Sequence, residues 1–165
     1  MAGVRGAVLL SLLFLALPAA AAELVSPSDC VKRLHAASLE RIQWGDLALD
    51  NSRDDAITRF GELLARQERE LDRAVVDYAK ANEIELPQRP PPGRNEPLER
   101  LEGPAFDTAF LARVAQSNKE NISFLMRTRE QYADPTFRRL VNKALATYRD
   151  SQRELEKLYE ELPAG

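Results

Sequence analysis

One cysteine and one histidine stand in the 165 residues, and that scarcity excludes several kinds of chemistry. A lone thiol closes no internal disulfide, and a lone imidazole builds neither a multi-histidine metal centre nor a cysteine-rich zinc module. An excess of basic charge is also missing. The 23 Lys and Arg face 26 Asp and Glu, a formal charge of −3, which gives no global field for gripping nucleic acid. Nor does any stretch alternate apolar and polar residues as a half-buried strand would. What is present, 44% hydrophobic and 30% charged residues, fits a helical domain with apolar seams.

The one long apolar run is at the start. Arg5 provides a positive n-region, Ala7 to Leu17 a leucine-rich stretch, and Pro18 with Ala19 to Ala22 a helix break and small residues for signal peptidase. The run is shorter than the ~20 residues of a spanning helix and is interrupted by Ser11 and Pro18. Residues 1–22 therefore read as a signal peptide cut near Ala22-Glu23. The protein is expected to be exported to the periplasm or envelope, with no stable membrane insertion after cleavage. Residues 23–165 are the right length for one domain. Cys30 follows Pro27, Ser28 and Asp29 rather than a small-residue lipidation site. It reads as a buried thiol, with an intermolecular disulfide as the alternative.

Spacings of three and four residues mark four long helices. The first, over about 29–50, carries Val31, Leu34, Ser38, Ile42, Gly45 and Leu49. The second, 54–82, carries Ile57, Phe60, Leu64, Leu71, Val75 and Tyr78. The third, 105–132, carries Phe106, Phe110, Leu111, Val114, Ile122 and Leu125. In the fourth, 135–162, Phe137, Leu140, Val141, Ala144, Tyr148, Leu155, Leu158 and Leu162 face inward, and Asp134-Pro135 supplies its cap and first position. The linker 83–97 holds Pro87, Pro90, Pro91 and Pro92 and is a stiff crossover. Asn95 caps a short extra helix with Leu98 and Leu101, and Gly103-Pro104 stops it. The expected fold is all-α, a four-helix bundle of two hairpins joined by this crossover.

Midway along the bundle the apolar seams fail. Glu68 lies four beyond Leu64 and three before Leu71, Asn118 four beyond Val114 and four before Ile122, and Ser151 four before Leu155. The first helix offers Ser38 and Arg41. An isolated buried polar group costs roughly 1 to 3 kcal/mol, so four seams interrupted together imply a shared interior layer of Arg41, Glu68, Asn118 and Ser151. Arg41 and Glu68 share the inward phase and are candidates for a guanidinium–carboxylate pair. A di-iron site would need two Glu-x-x-His pairs and further carboxylates, and this chain cannot supply them. No metal or other cofactor is expected.

Three segments carry a family resemblance: Ile42-Gln43-Trp44-Gly45-Asp46-Leu47-Ala48-Leu49, Phe60 eight residues before Glu68, and Phe106-Asp107-Thr108-Ala109-Phe110-Leu111. In their order and gaps the chain after Asp29 resembles an exported bacterial family called domain of unknown function 4142. The resemblance implies a ferritin-like helical bundle. Members often carry His in the second, third and fourth helices, where this chain has Glu68, Asn118 and Ser151. If that histidine layer binds metal, the resemblance implies a variant that has lost it.

Catalysis is not expected. Cys30 and His35, five residues apart, point to different helix faces and lack a third orienting group. The Asn121-Ile122-Ser123 sequon lies within a helix and carries no weight. Trp44, near Asp46, is a candidate contact surface, with core packing as the alternative. Two readings follow. The first is a non-catalytic exported bundle acting in protein interaction or stress tolerance, through an unidentified protein partner. The second is a metal- or small-ligand-binding protein using Glu68 with other carboxylates such as Glu120.

Overall fold

The computed structural model describes residues 24–88 and 96–161. The signal-peptide reading of residues 1–22, the proline run 90–92 with the Asn95 cap, and Leu162 lie outside the described residues. Five helices follow in order: α1 (Pro27–Asn51), α2 (Asp55–Ala81), α3 (Glu96–Glu99), α4 (Gly103–Gln131) and α5 (Pro135–Glu161). Among the described residues there is no strand, and no helix is long and apolar enough to cross a membrane.

Local chemistry sets the helix ends. Ser26 accepts from the Asp29 amide at 3.0 Å with Pro27 beside it, and Asp54 Oδ1 accepts from the amides of Ala56 at 2.7 Å and Ile57 at 3.3 Å. Asp134 Oδ1 takes the Phe137 amide at 2.6 Å, satisfying orphan donors of the first turn. One boundary differs from the sequence reading. Gly103-Pro104 opens α4 instead of ending the short helix. Gly103 turns the chain at φ +57°, a conformation open to glycine, and Pro104 sits where a missing amide costs nothing. The short helix α3 begins at Glu96, with Pro97 in its first turn.

Among the four long helices each packs on two of the others, α1 on α2 and α4, and α5 on α2 and α4, with α3 against α1 and α4. The apolar interior divides in two. One cluster gathers Cys30, Leu34, Leu71, Val75, Leu125, Phe137 and Tyr148. The other gathers Trp44, Ile57, Phe60, Leu64, Phe106, Phe110, Val114 and Leu155, with Leu98 of α3. The start of α1 thus lies level with the ends of α2 and α4, so adjacent long helices run antiparallel. Leu49, expected inward, is 43% exposed, and Trp44 and Ala48 hold the core face at that level instead. Ile122 and Tyr78 pack only at the margin of the first cluster.

The α1–α2 pair is the tightest in the bundle. A Cβ on Gly45 would lie 2.5 Å from the Gly61 carbonyl oxygen and 2.8 Å from Ala65 Cβ, and one on Gly61 would lie 2.5 Å from Ala48 Cβ. The two backbones touch there. Gly45→Ala is expected to destabilise the protein by about 1 to 3 kcal/mol, despite alanine's better helix propensity, because the obstacle is backbone that cannot yield. Denaturant unfolding of the variant checks this, and an unchanged or raised midpoint would refute it.

Candidate functional site

Between the two apolar clusters lies a layer of polar side chains, one or more from each long helix. Arg41 and Glu68 are both fully buried, and Arg41 Nε donates to Glu68 Oε1 at 2.5 Å. Ser38 Oγ donates to the other carboxylate oxygen at 3.1 Å. The remaining arms of the guanidinium cross the bundle: Nη1 donates to Ser117 Oγ at 3.1 Å and Nη2 to Ser151 Oγ at 3.0 Å. Asn118 Nδ2 reaches Ser151 Oγ and Gln152 Oε1, both at 3.3 Å. The Tyr148 ring lies 4.8 Å below the guanidinium carbon. The structure thus brings Arg41, Glu68, Asn118 and Ser151 into one connected network, and adds Ser38, Ser117 and Tyr148 to it.

The electrostatics follow from burial. Loss of water pushes Glu68 above the ordinary carboxylate range, and the charge and hydrogen bond of Arg41, then the Ser38 hydroxyl, offset only part of that rise. With a donor on each oxygen, the ionised carboxylate is the form this geometry holds. Burial pushes the Tyr148 hydroxyl well above its usual value. That hydroxyl and Asn118 Oδ1 have no hydrogen-bond partner among the described residues.

As a metal site the layer has a poor donor set. Its single carboxylate is engaged on both oxygens, and the other members are an amide, hydroxyls and a guanidinium. Glu120 does not join Glu68. It is exposed and accepts from Gln116 Nε2 at 2.5 Å. Among the described residues no group of three or more His, Cys, Asp and Glu could hold a metal ion.

Two other sequence candidates are placed differently from their sharper readings. Trp44 is 3% exposed. It is part of the core with the Arg113 guanidinium 5.4 Å from its ring centre, because its position falls on the face of α1 that turns toward α4. It is not an exposed contact patch. Cys30 is wholly buried in the first apolar cluster, where burial pushes its thiol up to about 12. It is sealed from an intermolecular disulfide.

The feature that the sequence did not reveal is a groove of about 710 Å³ between α1 and α4. Arg33, Ala36, Ala37, Glu40 and Trp44 line it from α1, and Arg113, Gln116, Ser117, Glu120 and Asn121 from α4. Ser117 joins the groove to the interior, since the same hydroxyl that lines it accepts from Arg41. Asn121 steadies that wall, its Nδ2 donating to the Ser117 carbonyl at 2.9 Å and to its hydroxyl at 3.2 Å. The helix periods place these residues beside the core, but the separation of α1 from α4 is a tertiary property with no local signal.

Comparison with known proteins agrees with the architecture. The family described as Domain of unknown function (DUF4142) matches residues 15–158. A crystal structure from Streptomyces coelicolor, described as a DUF305 protein and assigned to secretion, superposes with a TM-score of 0.67 at 13% identity, covering 82% of this chain and 92% of that one. At that identity the likeness speaks for the fold alone. No curated protein matches the chain.

Two outcomes are expected from the layer. Arg41→Met or Glu68→Leu alone leaves a buried charge uncompensated and destabilises by about 3 to 5 kcal/mol, whereas the two together recover most of that loss. Denaturant unfolding of all four corners of the Arg41→Met, Glu68→Leu cycle measures the coupling, and zero coupling energy would contradict the pair. The Cys30 thiol is expected to react with a chromogenic disulfide reagent at neutral pH only once the protein unfolds. Rapid labelling of the native chain would contradict its burial.

Proposed function

We propose that this chain, which belongs to the family described as Domain of unknown function (DUF4142), is a non-catalytic exported protein that holds a segment of a partner protein in the groove between α1 and α4. The observation that carries this reading is the contrast between groove and interior. Inside, the carboxylate and guanidinium are spent on each other and on hydroxyls. The groove opens at the surface and its lining carries both signs, Arg33 and Glu120 toward one end and Glu40 and Arg113 toward the other, each also held by contacts within the chain.

Size and charge argue for the occupant. At about 710 Å³ the groove falls within the range of built binding sites. From Arg33 to Trp44 it extends roughly 16 Å along α1, the length of about five residues of extended chain. Cations and anions at both ends suit a polypeptide segment carrying both signs better than a polyanion or an apolar ligand. Periplasm or envelope is the compartment we assign, supported by the signal-like residues 1–22 and by the secretion assigned to the structural neighbour.

Photo-crosslinking residues placed at Ala37 and Gln116 in the full chain, expressed in its own compartment, are expected to give one discrete protein adduct. The same group at Glu62 on the exposed face of α2 should give none, and Ala37→Trp, which fills the groove, should abolish the Gln116 adduct. Equal labelling from the α2 position, or adducts indifferent to Ala37→Trp, would overturn the reading. Elemental analysis with melting in chelator is expected to find no stoichiometric metal and no shift. One equivalent of metal with a chelator-sensitive melt would replace this reading with the ligand-binding one.

A further inference from the structure

We infer that His35 is a proton-operated latch: the doubly protonated ring ties the start of the α2–α4 crossover to the α1–α2 hairpin, and loss of one ring proton releases it. The inference does not depend on the groove or on what occupies it.

The ring sits at the meeting of three segments and is 7% exposed. Its Nδ1 is 2.6 Å from Asp72 Oδ1 on α2, and its Nε2 is 3.0 Å from the Pro87 carbonyl oxygen in the crossover. Both neighbours are acceptors. A neutral imidazole has one N–H and one lone pair, so it can satisfy one of them and must turn a lone pair on the other. The arrangement is complete only when the ring and the carboxylate together hold the extra proton, as imidazolium and carboxylate. Of the two bonds, the one to Asp72 is charge-assisted and short, and the one to a neutral carbonyl is weaker. Deprotonation therefore costs the Pro87 contact first. By linkage, a latched state that binds one more proton than the released state is favoured by acidification.

The surroundings let this happen without unfolding. The chain from α2 to Pro87 is held by few other groups. The Ile84 amide donates to the Ala79 carbonyl at 2.9 Å, and Ile84 and Leu86 pack only partly buried against the first apolar cluster. Pro87 has no amide of its own, so its carbonyl is the one backbone group it can offer. At the far end the crossover is anchored separately, by Leu98 of α3 in the second cluster. Besides Asp72, the charged residues within one helical turn of it or of His35 are Lys32 and Arg33 on α1 and Glu68, Arg69, Glu70 and Arg73 on α2, with Glu85 in the crossover. Glu68 is held by Arg41, and Arg69 donates to Asp46 at 2.8 Å. Asp72 is thus the charge that meets the ring directly.

The test is amide hydrogen exchange of the full chain, read over Ile84 to Gln88 and corrected for intrinsic rates, at roughly pH 5 and pH 8, which bracket ordinary histidine titration. Protection of this stretch is expected to fall about three- to tenfold at the higher pH, the worth of one hydrogen bond, while the amides of Leu71 and Val75 in α2 stay unchanged. His35→Phe should show the low protection at both pH values. Asp72→Asn, whose side-chain amide can donate to a bare Nδ1 while Nε2–H stays on the Pro87 carbonyl, should keep the stretch protected at the higher pH. Should His35→Phe fail to fold, ring NMR of His35 in the wild-type chain still reads the same coupling. Wild-type protection of Ile84 to Gln88 that ignores pH, a pH response that survives His35→Phe, or wild-type ring titration without any change in those amides would overturn the latch.

Discussion

A guanidinium and a carboxylate with no access to water set the terms for the rest of this bundle. Arg41 and Glu68 meet at 2.5 Å, both fully buried, and desolvating two ions is repaid only when their remaining hydrogen-bonding capacity is also met. That demand reaches every long helix: α1 must bring Ser38 beside the pair, α4 must bring Ser117, and α5 must bring Ser151. The apolar clusters above and below need only volume and hydrophobicity. The layer needs particular atoms at particular heights, so it fixes the axial register of four helices that would otherwise slide. This is the same use of buried polarity by which a single polar residue specifies register in a coiled coil.

Much of this was legible in the sequence because period and polarity conflict there. Glu68, Asn118 and Ser151 each fall where an apolar residue is due, and a helix has one inward face on which such a conflict can sit. Caps were legible for a similar reason, since Asp134-Pro135 has local chemistry that needs no tertiary partner. What escaped is what depends on distance in the chain. The Nε2 partner of His35 is a backbone carbonyl 52 residues away, and backbone carbonyls leave no trace in a sequence. Gly61 looks like any tolerated helical glycine until Gly45 is found against it. Trp44 read as a surface candidate because its neighbours are polar, yet α4 covers it. Gly103-Pro104 has the composition of a stop, and the same two residues make an equally good start.

Helix pairs in this bundle are not equivalent. Small residues draw α1 and α2 into backbone contact, whereas α1 and α4 stand apart and leave a groove with charged walls. Rigidity and access are therefore assigned to different sides of the same helix. One face of α1 carries Ser38, Arg41 and Gly45 into the tight, register-setting interior. Another carries Arg33 and Ala37 to the groove, with Glu40 buried in its wall. Ser117 lies on the boundary, lining the groove while accepting from Arg41, so whatever occupies the groove rests on a wall fixed by the buried pair.

The pairing of Arg41 with Glu68 also bears on the order in which the molecule is built. Both partners, and Ser38 with them, lie in α1 and α2, joined by the turn at 52–54. A chain made from its N-terminus completes this hairpin before α4 and α5 exist, and domains begin to organise in that order. The most costly charges to bury are thus neutralised by a local partner at the outset. The second hairpin then arrives against a surface that asks only for hydroxyls and apolar side chains. Had Arg41's counter-ion stood on α5, the nascent hairpin would have carried a naked cation on its sticky face until synthesis was nearly over.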